Sequence, residues 1–237
     1  MTVRLEVCID DVAGLDACAR GGADRAELCS ALDLGGLTPS PGLIAAAARA
    51  SVPARAMIRP RAGDFRFGEA EVEVMLADIA AVRAAGLAGV VLGAATAAGE
   101  LDRPLLARLV AAARGLGKTL HRVVDLMPDP VVAVDIAVDL GFDCILTSGG
   151  ALRAEDGAAV IAAMVERANG RIAIMAGSGV APGNAAALRR ATGAGWLHAS
   201  CASAEPSGGD IRRFGFGPAE RRRTDPDRIR ALKAAAG

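Results

Sequence analysis

One local pattern recurs along the chain and constrains its fold more than any other: an alanine-rich helical stretch, a glycine, then a short apolar run. It appears as CARGGADRAELCS, VRAAGLAGVVLGA, ARGLGKTLHRVVD, VDLGFDCILTSG, RANGRIAIMAGSG and RATGAGWLHAS. The glycine falls where a helix C-cap belongs, because glycine enters the left-handed conformation without a Cβ clash. The apolar run after it, about four to eight residues long, ends in glycine, serine or charge, which is the pattern of a buried parallel strand. VRLEVCI near the start and ARAMIRP after SVP supply two more such runs. Strands are therefore expected near residues 4–9, 25–30, 54–60, 89–94, 118–125, 143–148, 171–177 and 195–200. Helical patterns lie between them; Val72, Met75, Leu76, Ile79 and Val82 mark one face of a helix over 69–85.

Eight strand–helix units in 237 residues match an α/β fold of the (β/α)8 TIM barrel type in a single domain, for which ~250 residues is typical. An open doubly wound sheet would carry a GxGxxG turn after its first strand, and none stands there. The barrel is expected over residues 1–201. Residues 202–237 read as a C-terminal extension with a short final helix, a proline just inside its start, packed on the barrel or at an oligomer interface. The arginine run within 220–223 reads as solvated surface.

Charge excludes several partners. The 27 basic and 27 acidic residues cancel, so nothing favours nucleic acid or an acidic membrane surface. Mean hydropathy is +0.35, yet the apolar stretch over 87–99 is shorter than the ~20 residues of a spanning helix and is broken by glycines. The start, MTVRLEVCIDD, lacks the basic and apolar regions of a secretory signal. The five cysteines are then expected as free thiols in the cytoplasm.

In such barrels the reactive groups stand at the C-terminal strand ends. Strand 1 offers Glu6, Cys8 and Asp10, strand 2 Glu27 and Cys29, and strand 3 runs into Arg59, Arg61 and Asp64. Strand 5 gives His121, Arg122 and Asp125, and strand 8 gives His198 and Ser200. Alternation along a strand puts each set on one side, with Arg122 opposite His121. Two glutamates facing a barrel interior need partners, since an unpaired buried carboxylate costs several kcal/mol; Arg59 and the histidines are the available groups. Glycines after strands 6 and 7, with Ser148, Gly149, Gly177 and Gly179, mark turns where backbone N–H groups can hold phosphate. Lys118 opens strand 5, at the wrong end for a Schiff base, and Lys233 lies in the tail, so a lysine-dependent aldolase is disfavoured. Cys8 and Cys29, each two residues after a glutamate, read first as small core residues, with a soft pair for Cu(I) as the alternative.

The segments LEVCIDD, GGADRAELCSALDLGGLTPS, IRPRAGDF, TLHRVVD, LTSGG, MAGSGV and HAS follow in the order of the CutC family, which this chain resembles over residues 4–201. The resemblance implies a cytosolic TIM barrel that forms a homodimer or higher homo-oligomer and acts in copper homeostasis, with Cys8 and Cys29 as the metal residues. TLHRVVD departs from the family's usual TFHRAFD, and DFRF lacks the tyrosine that often follows DF. Two functions therefore stand side by side. One is Cu(I) binding. The other is a lyase or isomerase acting on a small anionic metabolite, phosphorylated ones included, with no organic cofactor. Its catalytic set is Glu6, Glu27, Arg59, His121, Asp125 and His198, with Asp125 orienting the histidine. Its substrate-binding set is Arg61, Asp64, Ser148, Gly149, Gly177 and Gly179.

Overall fold

A computed structural model of the chain describes residues 3–237. Eight parallel strands close in sequence order: β1 (Arg4–Ile9), β2 (Arg25–Leu28), β3 (Ala54–Met57), β4 (Gly89–Leu92), β5 (Gly117–Leu120), β6 (Cys144–Thr147), β7 (Ala173–Gly177) and β8 (Trp196–Ala199), with β8 pairing back to β1. Helices α1 (Val12–Gly21), α2 (Pro41–Ala47), α3 (Glu69–Ala84), α4 (Arg103–Ala112), α5 (Ala133–Leu140), α6 (Ala158–Ala168) and α7 (Ala185–Thr192) fill the crossovers. The chain is a (β/α)8 TIM barrel in one domain. The six glycines of the repeat, Gly22, Gly86, Gly115, Gly141, Gly170 and Gly193, all have φ between +68° and +85°, so the turn from each helix toward the next strand depends on their missing Cβ.

Alternation sorts the strands as their composition requires. Leu5, Val7 and Ile9 of β1 are buried among the core residues that face the helices, while Glu6 and Cys8 point the other way. On α3, Val72, Met75, Ile79 and Val82 are buried and Leu76 is half-buried, the face that their spacing defines. Register then fixes which polar residues meet. Glu6 aligns with Arg25 on β2 and with His198 on β8, and Cys8 aligns with Glu27.

Two strands stop three or more residues earlier than the sequence pattern predicts. β3 ends at Met57, so Arg59 and Arg61 stand in a loop. β5 ends at Leu120, and residues Arg122–Leu126 form a 3-10 turn capped by His121, whose Nδ1 accepts from the Val123 N–H at 3.2 Å. Strand alternation therefore does not extend from His121 to Asp125, nor does it set Arg122 opposite His121.

Beyond β8, β9 (Ala202–Pro206) and β10 (Glu220–Thr224) pair antiparallel around the short helix α8 (Gly209–Arg213). Helix α9 (Pro226–Ala236) follows, with Pro226 in its first turn, and packs against α1, α7 and β1. Its Ile229 lies so close to Gly21 that a Cβ there would collide with it. α9 thus takes the place of the eighth helix in the outer ring.

Candidate active site

The barrel interior holds a chain of charged groups. Arg25 donates its Nε–H to Glu6 Oε2, and its guanidinium also lies 4.2 Å from the centre of the Trp196 ring. The other Glu6 oxygen is 3.0 Å from His198 Nδ1, and His198 Nε2 is 3.6 Å from Glu27 Oε2. Burial acts to raise Glu6, but its bond to His198 and the charge of Arg25 outweigh burial and hold it below the usual carboxylate range. Burial likewise opposes a charged His198, and Glu27, Cys8 and Glu6 around it win, raising it well above an ordinary imidazole. Glu27 lacks a fixed arginine of its own. Burial pushes it up to about 7 against the pull of His198, which leaves a carboxyl able to give or take a proton near neutrality.

Above this chain lies a cavity of about 560 Å³ at the C-terminal mouth, lined by Cys8, Glu27, Arg59, His121, His198 and Gly179 among others. That volume suits a small metabolite. Three of these residues are almost wholly enclosed, with 3 % of Glu27, 5 % of Arg59 and 4 % of His121 exposed. Each has a buried polar atom without a partner among the described residues: Glu27 Oε1, Arg59 Nε and His121 Nε2. Native proteins rarely leave such atoms unsatisfied, and they mark places where a ligand or water completes the set.

Arg59 has no carboxylate partner among the described residues. Its guanidinium donates to the carbonyls of Leu34 at 2.9 Å, Gly36 at 3.2 Å and Gly63 at 2.9 Å. Those bonds tie together the loops after β2 and β3 while the positive charge stays uncompensated. The guanidinium lies 4.8 Å from the Phe65 ring, which packs 4.9 Å from His121. Burial and the charge of Arg59 bring His121 down to about 3, so its imidazole is neutral. With Nδ1 accepting from Val123, the hydrogen of that neutral ring sits on Nε2, the atom without a partner. His121 is a hydrogen-bond donor to the cavity.

Other expected residues stand elsewhere. Arg61 binds Glu71, Asp64 and the Arg66 carbonyl, so Arg61 and Asp64 fasten the loop over residues 61–71. Asp125 does not orient His121. It accepts from the Ser148 and Gly150 N–H groups, the Thr147 and Ser148 hydroxyls and Arg122 Nε. This cluster anchors the turn after β6 and holds Arg122 at the cavity edge. Gly149 and Gly177 serve close packing: a Cβ at either would strike Gly157 or Leu146. Glu6 takes its arginine from Arg25, not Arg59. Arg25 shares the odd-numbered register of Glu27 and Cys29, and that parity was the available signal for it.

The cysteines separate. One sulfur or nitrogen or oxygen of Cys8, Glu27 and His198 comes within 4.8 Å of each of the others, and Cys29 is outside that group. Cys29 is fully buried and donates to Glu27 Oε2 at 3.7 Å; burial, with Glu27 beside it, pushes its thiol well up. Among the described residues no helix is long and apolar enough to cross a membrane.

Fold and site together define a class: a TIM barrel with a buried carboxyl–imidazole pair, a thiol and a buried guanidinium around one cavity. The family model of the CutC family matches residues 3–203, and the chain belongs to that family. It is 54 % identical over 234 residues to a CutC family protein of Rhizobium meliloti, covering 98 % of this chain and 95 % of that one. A CutC family protein of Caulobacter vibrioides is 52 % identical over 240 residues, covering 98 % of both. The crystal structure of a CutC from Streptococcus agalactiae, designated a candidate copper homeostasis protein, superposes with a TM-score of 0.79 at 31 % identity, over 84 % of this chain and 98 % of that one. Deoxyribose phosphate aldolase from Aeropyrum pernix, at 18 % identity and TM-score 0.63 over 84 % of this chain and 86 % of that one, shares the fold.

Proposed function

We propose that this chain is a lyase or isomerase that moves a proton on a small anionic metabolite. The observation that carries the reading is the set of partnerless buried atoms on Glu27, Arg59 and His121, all on one cavity. Each suits one part of such a reaction. Arg59 binds the anion, its charge undiluted by any carboxylate. Glu27 takes a proton from a carbon next to a carbonyl or carboxyl group, and the electrons move onto that oxygen. His121 donates its Nε2–H to the oxygen as charge develops there. His198, cationic between Glu6 and Glu27, returns a proton and is restored from solvent, while Glu27 releases to solvent the proton it took. Glu6 with Arg25 positions His198, and Asp125, with Ser148 and Gly149 of the β6 turn, holds Arg122 at the cavity edge. Gly177 gives His198 room, while Arg61 and Asp64 support the Arg59 loop.

The test is retention of small molecules from a cell extract, read by mass spectrometry after equilibrium dialysis. Wild type is expected to retain at least one anionic metabolite, and Arg59→Ala to lose it by tenfold or more. If both proteins retain the same molecules equally, the reading fails.

A second reading rests on a different observation, the approach of the Cys8, Glu27 and His198 ligand atoms within 4.8 Å. Cu(I) as cargo suits a thiolate and an imidazole, and the Streptococcus agalactiae relative carries a copper-homeostasis designation. On this reading Cys8 and His198 hold the ion, and Cys29 supports Glu27 from behind. The residues fit Cu(I) in part only, because a carboxylate is a hard donor and the second thiol is outside the group. In a competition titration Cys8→Ser is expected to weaken Cu(I) binding at least tenfold and Cys29→Ser far less. Unchanged affinity in Cys8→Ser removes the copper site. An expected homo-oligomer of cytoplasmic location belongs to the same family-based reading.

A further inference from the structure

We propose that the C-terminal hairpin and final helix complete a phosphate-binding subsite on the side of the cavity away from Arg59, so that the substrate is a phosphate monoester. The inference deepens the acid–base reading by naming the substrate class, and it rests on that reading for the reacting end.

Charge around the cavity is lopsided. Five arginines line it, Arg59, Arg122, Arg153, Arg222 and Arg228, against a single carboxylate, Glu27. Arg122 and Arg153 are matched by Asp125 and Glu155. Arg222 and Arg228 are not: among the described residues neither side chain makes an ion pair or a hydrogen bond. The pairing within β10 explains how Arg222 arrives there. Arg221 binds Asp11 and Arg223 lies 3.7 Å from Glu205, so alternation along the strand gives the residue between them the opposite face, and Arg222 lines the cavity. Arg228 reaches the same cavity from the first turn of α9. Asp225 is close enough to feel the Arg228 charge but makes no ion pair with it; its oxygens accept from the Ser203 hydroxyl and the Asp227 N–H at 2.8 Å each.

The backbone between these arginines is shaped for an oxyanion. The turn after β7 carries Ser178 at φ +80° and Gly179 at φ +74°, and among the described residues the Gly179 and Val180 N–H groups donate to nothing. Ser178, Gly179, Val180, Ser200 and Cys201 all line the cavity. Successive free N–H groups in such a turn make an anion-binding concavity, and two unpaired guanidiniums on the same cavity match a dianion better than a monoanion. β7 stands four strands from β3 in the ring of eight, so this subsite and Arg59 hold opposite ends of one ligand. Glu27 and His198 lie between.

The probe is inorganic phosphate, titrated at constant ionic strength into the full-length 15N-labelled protein. The Gly179 and Val180 amide signals are expected to shift and saturate. Arg222→Gln with Arg228→Gln should weaken that affinity tenfold or more. Arg221→Gln with Arg223→Gln, which removes the same charge from the other face of β10, should change it less than twofold. Arg228→Gln alone, at an exposed position, should weaken it at least threefold, which keeps the test valid should the double variant fail to fold. Glu27→Gln should bind phosphate no more weakly than wild type, so a failed acid–base reading and a failed subsite give different results. The subsite is overturned if the Gly179 and Val180 signals do not saturate, or if the two double variants lose affinity equally.

Discussion

His121 shows how one side chain can be defined by what it lacks. It is buried, faces an uncompensated Arg59, and gives its Nδ1 lone pair to the backbone, and burial with the Arg59 charge opposes protonation more than the nearby Asp125 favours it. The unfolded chain takes up a proton below about 6.5, whereas the folded protein holds His121 neutral down to about 3. A group with a depressed histidine pKa favours the folded state fully above the higher value, and that contribution is lost as pH falls between the two. Lowering the pH from 7 to 5 should therefore cost on the order of 2 kcal/mol through this residue. Comparing urea midpoints of wild type and His121→Gln at both pH values isolates the effect; an equal change in both proteins would contradict it. The chain has only two histidines, so nitrogen NMR offers an independent check. At pH 7 one ring should be neutral with its proton on Nε2 and the other, His198, cationic.

At the scale of elements, strand ends and the loops beyond them decide what the cavity contains. The His121 ring lies on Gly93, just past β4, where a Cβ would collide with the ring atoms Cε1, Nδ1 and Nε2. Gly93→Ala should displace His121 and destabilise the fold by about 1–3 kcal/mol, the usual cost of overpacking, and should abolish metabolite retention in the dialysis measurement. Retention at the wild-type level would show that His121 need not occupy this position. The strand pattern was legible in the sequence because glycine caps and β-branched runs are local signals. Glu6, Cys8, Glu27 and His198 lie on strands, so alternation placed them together correctly. Arg59, Arg61 and Asp125 follow strand ends that came three and five residues earlier than apolar composition suggested, and there alternation carries no information. The 3-10 turn at Arg122–Leu126 depends on a cap made by His121 itself, a tertiary choice that VVD, an apolar strand-like run, does not announce. Asp125 then spends its lone pairs on the neighbouring β6 turn, a contact set only by the closed barrel.

For the molecule as a whole, the last 36 residues have more to do than composition implies. α9 supplies the eighth helix of the ring, and its Ile229, Leu232 and Ala236 are buried. Ile229→Ala should destabilise the protein by about 2–5 kcal/mol, read as a drop in the denaturation midpoint; a midpoint near wild type would mean that α9 is dispensable to the barrel. An arginine-rich hairpin read from sequence alone is solvated surface, since nothing local distinguishes Arg222 from Arg221 or Arg223. Only the pairing of β10 with β9 gives the three arginines different faces. The central claim, that Glu27 moves a proton on a small anion, is tested most directly by isotope incorporation. Wild type, incubated in D2O with the metabolites it retains, should place deuterium on carbon in at least one of them, and Glu27→Gln should slow this by about 10²-fold or more. Equal incorporation by the two proteins, or none by wild type into any retained anion, would contradict the account.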